Sequence, residues 1–166
     1  MSFRMPKKGD NFAYDKLARL SRGEKRITTD FDIYYAGAIL GLCARQRIAP
    51  AEYDDEIGRE LTRTYPKDRQ EQAGTIAGIL VEAELSRQSI DPNNAAVILG
   101  IIDDYLSSTS PTRLTPDGHR LLDRYAAAGF RLMEERFMSF DYEEEFLVAY
   151  LGLLDEVCSA TSAEGA

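Results

Sequence analysis

The chain has 166 residues, a net charge of −8 and 44% apolar residues, which is typical of one soluble globular domain that can bury a substantial core. Its longest apolar run covers twelve residues, too few to span a bilayer, so no membrane segment is predicted. The opening MSFRMPKKGD lacks the apolar stretch of a secretory signal. A cytoplasmic location is therefore expected by default.

The hydrophobic pattern predicts an all-α fold, a single globular helical bundle of about seven helices around a buried apolar central helix. No segment alternates apolar and polar residues convincingly over the length of a strand. Residues 1–10 are expected to form a mobile lead-in, residues 11–158 the single all-α domain, and residues 159–166 a frayed polar tail.

Capping residues place the first two helices. Asn11 can cap a short helix, FAYDKLARLSR, which Gly23 ends because glycine suits the position just past a helix. Thr28 or Thr29 can cap the central helix, whose run over residues 33–44 holds no charged side chain. A helix that is apolar on all sides is predicted to be surrounded by other elements.

Helical periodicity and further caps predict five more helices. Asp91 and Thr115 each precede a proline, a pairing typical of a cap followed by the first helical residue, and Asp141 can cap the last helix. The five helices are predicted over residues 50–65, 68–88, 93–108, 117–138 and 142–157.

Two pairs of glycines are spaced one helical turn apart. Gly37 and Gly41 belong to the central helix, and Gly74 and Gly78 belong to the helix predicted over 68–88. Because a glycine inside a helix costs about 1 kcal/mol against alanine, both pairs predict close contact with a neighbouring helix.

A second pattern also occurs twice. LGIIDD at residues 99–104 resembles LGLLDE at residues 151–156. Its spacing of 52 residues differs from the 37 residues that separate the two glycine pairs. These unequal spacings argue against a regular solenoid and indicate helical hairpins that pack in similar ways.

Few residues support catalytic or metal chemistry. The single histidine, His119, is expected to be exposed in the first turn of a helix, and zinc sites need several His or Cys ligands. Asp103 and Asp104 follow an apolar run and could present an acid to a cavity, which keeps a metal-dependent phosphohydrolase as a third alternative. No metal ligand set and no cofactor are predicted.

The two cysteines, Cys43 and Cys158, lie within apolar patterns and have no CxxC spacing. Buried reduced thiols are favoured over a disulfide. Among the nine tyrosines, at least one of Tyr34 and Tyr35 is expected to pack in the core with its hydroxyl bonded. Tyr14 lies beside basic residues and could stack on a base, although core packing is the favoured interpretation.

The charge is unevenly distributed along the chain. Residues 1–26 carry eight basic and three acidic side chains, a net charge of +5, which leaves −13 for residues 27–166. This asymmetry predicts an anionic partner for the N-terminal part or a basic partner for the acidic body. The alternative is that the basic part folds back onto its own body.

The basic residues are the main candidate binding site. They are Lys16, Arg19, Arg22, Lys25 and Arg26. The first three are spaced so that they lie roughly along one side of the first helix. Five cations within eleven residues could neutralise several phosphates of a nucleic-acid backbone. No base-reading motif accompanies them, so such binding would be directed mainly to the backbone.

The same region resembles the small E subunit of the Dnd DNA-phosphorothioation systems and related Ssp-type defence components. The resemblance is carried by DKLARL at residues 15–20, the basic turn over residues 22–27 and the apolar helix from Phe31, about a fifth of the chain. It implies an all-helical, DNA-associated protein that binds or nicks DNA beside modification enzymes. This chain departs from the family pattern in its greater length and its acidic body. Only the basic residues, and no catalytic residue, are carried over.

Two functional hypotheses of different classes therefore stand ahead of the phosphohydrolase. The first is a DNA-associated accessory protein of a prokaryotic modification or phage-defence system that acts through its basic N-terminal segment. The second is an acidic helical interaction or immunity-like protein whose body, with a charge of −13, binds a basic partner protein.

Overall fold

The fold is predominantly helical, as described by a computed structural model that covers residues 2–17 and 29–164. The helices are α1 (Lys7–Lys16), α2 (Asp30–Cys43), α3 (Tyr53–Glu56), α4 (Ala73–Arg87), α5 (Ala95–Tyr105), α6 (Pro116–Arg136) and α7 (Glu143–Glu164). Two strands, β1 (Phe3–Pro6) and β2 (Ile57–Thr62), form a small sheet. Short 3-10 helices at Pro50–Glu52 and Lys67–Gln72 precede α3 and α4.

Helices α2 and α6 form the most extensive helix contact of the described chain, and the core is built around that contact. Helix α6 buries twelve of its 21 residues, against seven of 14 for α2. On α2 the side chains of Ile33, Tyr35 and Ile39 are only half-buried. Burial at the centre of the fold is therefore shared by α2 and the amphipathic α6.

Glycines allow the backbones of α2 and α6 to approach closely. A Cβ atom added at Gly41 would overlap the carbonyl oxygen of Tyr125, and one at Gly37 would lie 2.6 Å from Cε2 of Phe130. The close contact predicted for these two glycines is confirmed. The same prediction for Gly74 and Gly78 is wrong, because a Cβ at either would meet no atom within 4 Å.

Residues 2–10 include a strand and the start of a helix, and two of them lie in the core, which differs from the expectation of a mobile lead-in. Phe3 and Met5 in β1 are fully buried, with half-buried Arg4 between them. The alternation over residues 3–5 is the pattern of a strand with one buried face, and Pro6 at the end of the strand is buried as well. Helix α1 then begins at Lys7 and runs through Asn11, which is therefore not its cap.

The antiparallel β1–β2 sheet also corrects the all-α prediction. Strand β2 lies inside the segment predicted as a helix over 50–65, where only α3 is α-helical. The strands pair with Phe3 opposite Thr62 and Pro6 opposite Ile57, in a register interrupted by irregularities. Each strand depends on a partner more than fifty residues away along the chain, which local propensity does not detect.

Several predicted helix starts are confirmed. Thr29 caps α2 in a capping box with Asp32, and Thr115 caps α6 ahead of Pro116. Asn94 rather than Asp91 caps α5. Helix α7 continues to Glu164, beyond the predicted domain end at 158. No helix within the described residues is both long and apolar enough to cross a membrane.

Candidate functional site

The structure places only one of the five predicted binding residues. Lys16 is half-buried in the last turn of α1, and its carbonyl oxygen accepts a hydrogen bond from the backbone N–H of Phe140 at 3.4 Å. The other four predicted residues lie outside the described residues: Arg19, Arg22, Lys25 and Arg26. We refer to residues 16–26 as the basic segment.

Three cations that precede the basic segment contact the body of the protein. Lys8 forms an ion pair with Glu134 at 2.6 Å. Lys7 Nζ donates to the carbonyl oxygen of Asp55 at 2.5 Å, and Arg4 Nη2 donates to the carbonyl oxygen of Gly58 at 2.9 Å. The expectation that the basic part folds back onto its own body thus holds for these three residues.

Tyr14 lies in α1 two residues before Lys16, and 79% of its surface is exposed. The favoured prediction of core packing for this tyrosine is wrong, because the apolar face of α1 is supplied by Phe12, which contacts the rings of Phe130 and Phe137. An exposed aromatic ring beside a run of cations is an element that single-stranded nucleic-acid sites use for base stacking.

A second polar region lies at the start of α6. A cleft of about 970 Å³ opens between this end of α6, β1 and the Pro50–Tyr53 turn, and we call it the α6 cleft. Arg4, Tyr53, His119 and Asp123 are among the residues that line it. The two residues from α6 are four positions apart and therefore lie on the same face of the helix.

Asp123 is buried at the base of the α6 cleft. Its Oδ1 accepts hydrogen bonds from the Tyr34 hydroxyl at 2.7 Å and the Arg4 backbone N–H at 3.1 Å, and its Oδ2 accepts from the Tyr53 hydroxyl at 2.9 Å. Burial raises the pKa of Asp123 to about 7, although these hydrogen bonds oppose the rise. The expected buried tyrosine with a bonded hydroxyl is Tyr34. Three donors already engage this carboxyl, so its main role is to join β1, α2 and α6.

His119 is only 4% exposed, which corrects the prediction of an exposed histidine. Its Nε2 lies 2.9 Å from the Thr112 hydroxyl, and its ring packs 4.7 Å from that of Phe3. The Nδ1 atom is buried without a hydrogen-bond partner. Burial lowers the pKa of His119 to about 4, so the imidazole is neutral at physiological pH.

The wall and rim of the α6 cleft carry both signs of charge. Arg120 and Arg124 lie along one side, and Arg124 Nε donates to the carbonyl oxygen of Ile48 at 2.8 Å. Acidic lining residues are Asp54, Glu60, Asp104 and Asp117. This mixture can hold a small polar molecule through hydrogen bonds, but it lacks the uniform positive charge that a phosphate backbone requires.

No match was found among protein-family models, curated proteins or solved structures. Function must therefore be inferred from the chain itself.

The acids predicted from sequence are not gathered into a metal site. Asp103 and Asp104 are both exposed on α5. Of the two, Asp104 lines the α6 cleft, in agreement with the prediction that one of these acids faces a cavity. Within residues 2–17 and 29–164, no group of three or more His, Cys, Asp or Glu side chains is arranged to hold a metal ion. The geometry of the described acids therefore offers no support to the phosphohydrolase alternative.

Sequence reasoning also missed a buried ionic cluster around Glu84, which is fully buried on α4. Glu84 pairs with Arg47 at 2.9 Å and with Arg87 at 3.2 Å, and it accepts hydrogen bonds from Gln88 at 3.0 Å and the Tyr125 hydroxyl at 2.6 Å. Burial alone would raise the pKa of Glu84, but these partners hold it below its ordinary value. The cluster fixes the end of α4 against α6 and is structural in character.

Proposed function

We propose that this protein is a DNA-associated accessory protein of a prokaryotic DNA-phosphorothioation or defence system, located in the cytoplasm, and that it binds through the basic segment. The observation that carries the proposal is that exposed Tyr14 lies two residues before Lys16, so that an aromatic ring precedes the run of five cations in the chain. Cations neutralise phosphates without reading sequence, and an aromatic ring adds contact with any unpaired base. The link to phosphorothioation comes from the family resemblance of residues 15–20, the basic turn over residues 22–27 and the apolar helix from Phe31.

The acidic body limits the affinity that the basic segment can provide. Residues 27–166 carry −13, and this charge repels a duplex at distances up to the screening length, about 8 Å at physiological salt. We therefore expect weak binding that is strongest at low salt. Binding becomes tighter where a partner protein covers the acids or where several copies align their basic segments.

Charge reversal is the appropriate test, because truncation of the N-terminal residues would remove Phe3, Met5 and Phe12 from the core. The test variant combines Lys16→Glu, Arg19→Glu and Arg22→Glu. Fluorescence anisotropy with labelled intact duplex, nicked duplex and single strand should show binding by the unmodified protein and none by the variant. Circular dichroism should give the same helical content for both proteins.

A matched control reverses three exposed cations elsewhere on the body. Arg63→Glu, Lys67→Glu and Arg136→Glu change the net charge by the same amount, and each side chain lies on the surface. Retained affinity in this control together with loss in the test variant would assign binding to the basic segment. Equal losses in both would assign the effect to overall charge and contradict the proposal.

The second candidate function is an acidic interaction protein, and the similar segments on α5 and α7 favour it. Leu99 and Leu151 are 58% and 60% exposed, and each is followed four and five residues later by an exposed acidic pair. An apolar side chain beside acids fits a basic amphipathic helix of a partner protein. Titration with a synthetic peptide of that type should show saturable binding that Leu99→Asp with Leu151→Asp abolishes. Binding that this double variant leaves unchanged would contradict the candidate.

A further inference from the structure

Helices α2 and α7 lie side by side and run in the same direction. The Tyr150 hydroxyl donates to the carbonyl oxygen of Ala36 at 3.0 Å. Two residues beyond the end of α2, Arg45 Nη1 donates to the carbonyl oxygen of Thr161, farther along α7, at 3.3 Å. Because both contacts advance toward the C-terminus of each segment, they fix a parallel register between α2 and α7.

One cysteine on each segment lies between these two contacts. Cys43 is seven residues beyond Ala36, and Cys158 is eight residues beyond Tyr150. At a rise of about 1.5 Å per residue these positions are nearly level. The two thiols are close enough to interact, and both are free and half-buried. The sequence predicts buried reduced thiols, and in the structure the two are half-buried neighbours.

We infer that Cys43 and Cys158 form a reversible disulfide when the folded protein meets a two-electron oxidant such as hydrogen peroxide. The thiolate of one cysteine attacks one peroxide oxygen, the O–O bond breaks, and the departing hydroxide takes up a proton to become water. The sulfur of the other cysteine then attacks the resulting sulfenic sulfur, its proton leaves with the second hydroxide as water, and the S–S bond forms. Two thiols are oxidised and one peroxide is reduced to two water molecules.

The surroundings of Cys43 disfavour its thiolate. Burial, followed by the hydrogen bond and charge of Cys158 and by the charge of Glu82, raises the pKa of Cys43 to about 12. The nucleophile in thiol oxidation is the thiolate. The small thiolate fraction of Cys43 therefore limits the rate at which this thiol can attack an oxidant.

The bond would tie the C-terminal part of α7 to the end of α2. It closes a loop with 114 intervening residues, and a cross-link of that length restricts the unfolded chain far more than the folded one. The oxidised protein should accordingly unfold at a higher denaturant concentration than the reduced protein. Such reversible disulfides are the kind found in reducing compartments as oxidant sensors.

The test treats the full-length protein with hydrogen peroxide under native conditions, then alkylates remaining thiols in denaturant. Intact mass and non-reducing peptide mapping should identify a monomer that has lost two hydrogen atoms through a Cys43–Cys158 link. Its denaturation midpoint should rise and return to the starting value after dithiothreitol. Cys43→Ser and Cys158→Ser should each stop at a sulfenic acid on the remaining cysteine, which dimedone traps.

Any one of three outcomes would overturn the inference. The first is a cross-linked dimer in place of the intramolecular link, and the second is irreversible sulfinic acid at either cysteine without a disulfide. The third is that both thiols stay reduced at a peroxide concentration that oxidises a model dithiol. Thermal melting of Cys43→Ser, and of Cys43→Ala as a second variant, verifies that the single substitutions fold. Because none of these measurements involves DNA, their result is independent of the proposed function.

Discussion

The carbonyl oxygen of Gly37 occupies the space in which a side chain at Gly129 would begin. This contact brings the backbones of α2 and α6 together at the centre of the fold, and it leaves no room for a methyl group. Because the obstructing atom is backbone, a small shift of a flexible side chain cannot relieve the overlap.

Gly129→Ala should therefore destabilise the protein, whereas Gly78→Ala should not. Added atoms in a tightly packed core typically cost ~1–3 kcal/mol, while Gly78 faces open space and alanine improves helix propensity by up to about 1 kcal/mol. Equilibrium denaturation of both variants measures the difference. An equal change in the two would contradict the close approach of α2 and α6.

Glu84→Gln should be among the most destabilising single changes on α4. It removes the buried negative charge that Arg47 and Arg87 share, and breaking such a buried pair typically costs about 3 to 5 kcal/mol. Glu82→Gln is the matched control, since Glu82 is 56% exposed and pairs with Arg45. Exposed pairs contribute no more than about 1 kcal/mol. Similar denaturation midpoints for the two variants would rule out a structural role for the Glu84 cluster.

Asp123→Asn should remove a pH dependence of stability. The pKa of Asp123 is about 7 in the folded protein and near the ordinary value of about 4 in the unfolded chain. Between these two pH values the folded protein keeps Asp123 protonated, whereas the unfolded chain does not. The stability that Asp123 contributes is therefore fully present below about pH 4 and is lost as the pH rises through 7. The stability of the unmodified protein relative to the variant should fall over that range by an amount on the order of 4 kcal/mol, since each pKa unit corresponds to about 1.4 kcal/mol. Asp54→Asn, at the rim of the same cleft, should keep the dependence.

His119→Gln should reveal the opposite dependence. The pKa of His119 falls to about 4 on folding, from an unfolded value of about 6.5. The stability that neutral His119 contributes is fully present above about pH 6.5 and is lost as the pH falls through 4. On acidification, the unmodified protein should therefore lose stability relative to His119→Gln. In the comparison with Asp123→Asn, the unmodified protein should instead gain stability on acidification. For each variant, the measurement is the difference in unfolding free energy from the unmodified protein as a function of pH. If this difference changed in the same direction for His119→Gln and Asp123→Asn, the two groups would not both be buried in the α6 cleft.

Tyr14→Ala should weaken binding to single-stranded DNA without lowering the melting temperature. The exposed ring makes no core contact that its loss would disturb, and one stacked base typically contributes about 1–3 kcal/mol. Tyr142→Ala serves as the control, because Tyr142 is also exposed but lies before α7. Equal affinities for the unmodified protein and Tyr14→Ala would remove stacking from the proposal.

Local signals in the sequence predicted a large part of the fold. Thr29 with Asp32 and Thr115 with Pro116 mark the starts of α2 and α6 because capping depends on residues within one turn. Features set by distant partners could not be predicted in this way. Strand β1 has only four residues. It pairs with β2, which lies in a segment whose apolar spacing predicts a helix.

The same distinction separates the predicted site from the observed one. The basic segment is visible in sequence because its five cations are close together, whereas the α6 cleft is assembled from distant parts of the chain. Asp123 meets the Tyr53 hydroxyl across 70 positions and the Arg4 backbone across 119. Two local features of the sequence do point to that cleft: Asp104 follows an apolar run, and His119 and Asp123 are spaced by one helical turn.

The salt dependence of DNA binding tests the central claim most directly. If the basic segment contacts about three to five phosphates, the slope of log K against log salt should be roughly −3 to −5 for the unmodified protein. The Lys16→Glu, Arg19→Glu, Arg22→Glu variant should show no measurable binding, while the Arg63→Glu, Lys67→Glu, Arg136→Glu control keeps the slope. No binding at low salt, or a slope near zero, would contradict a DNA-associated function and favour the acidic interaction protein.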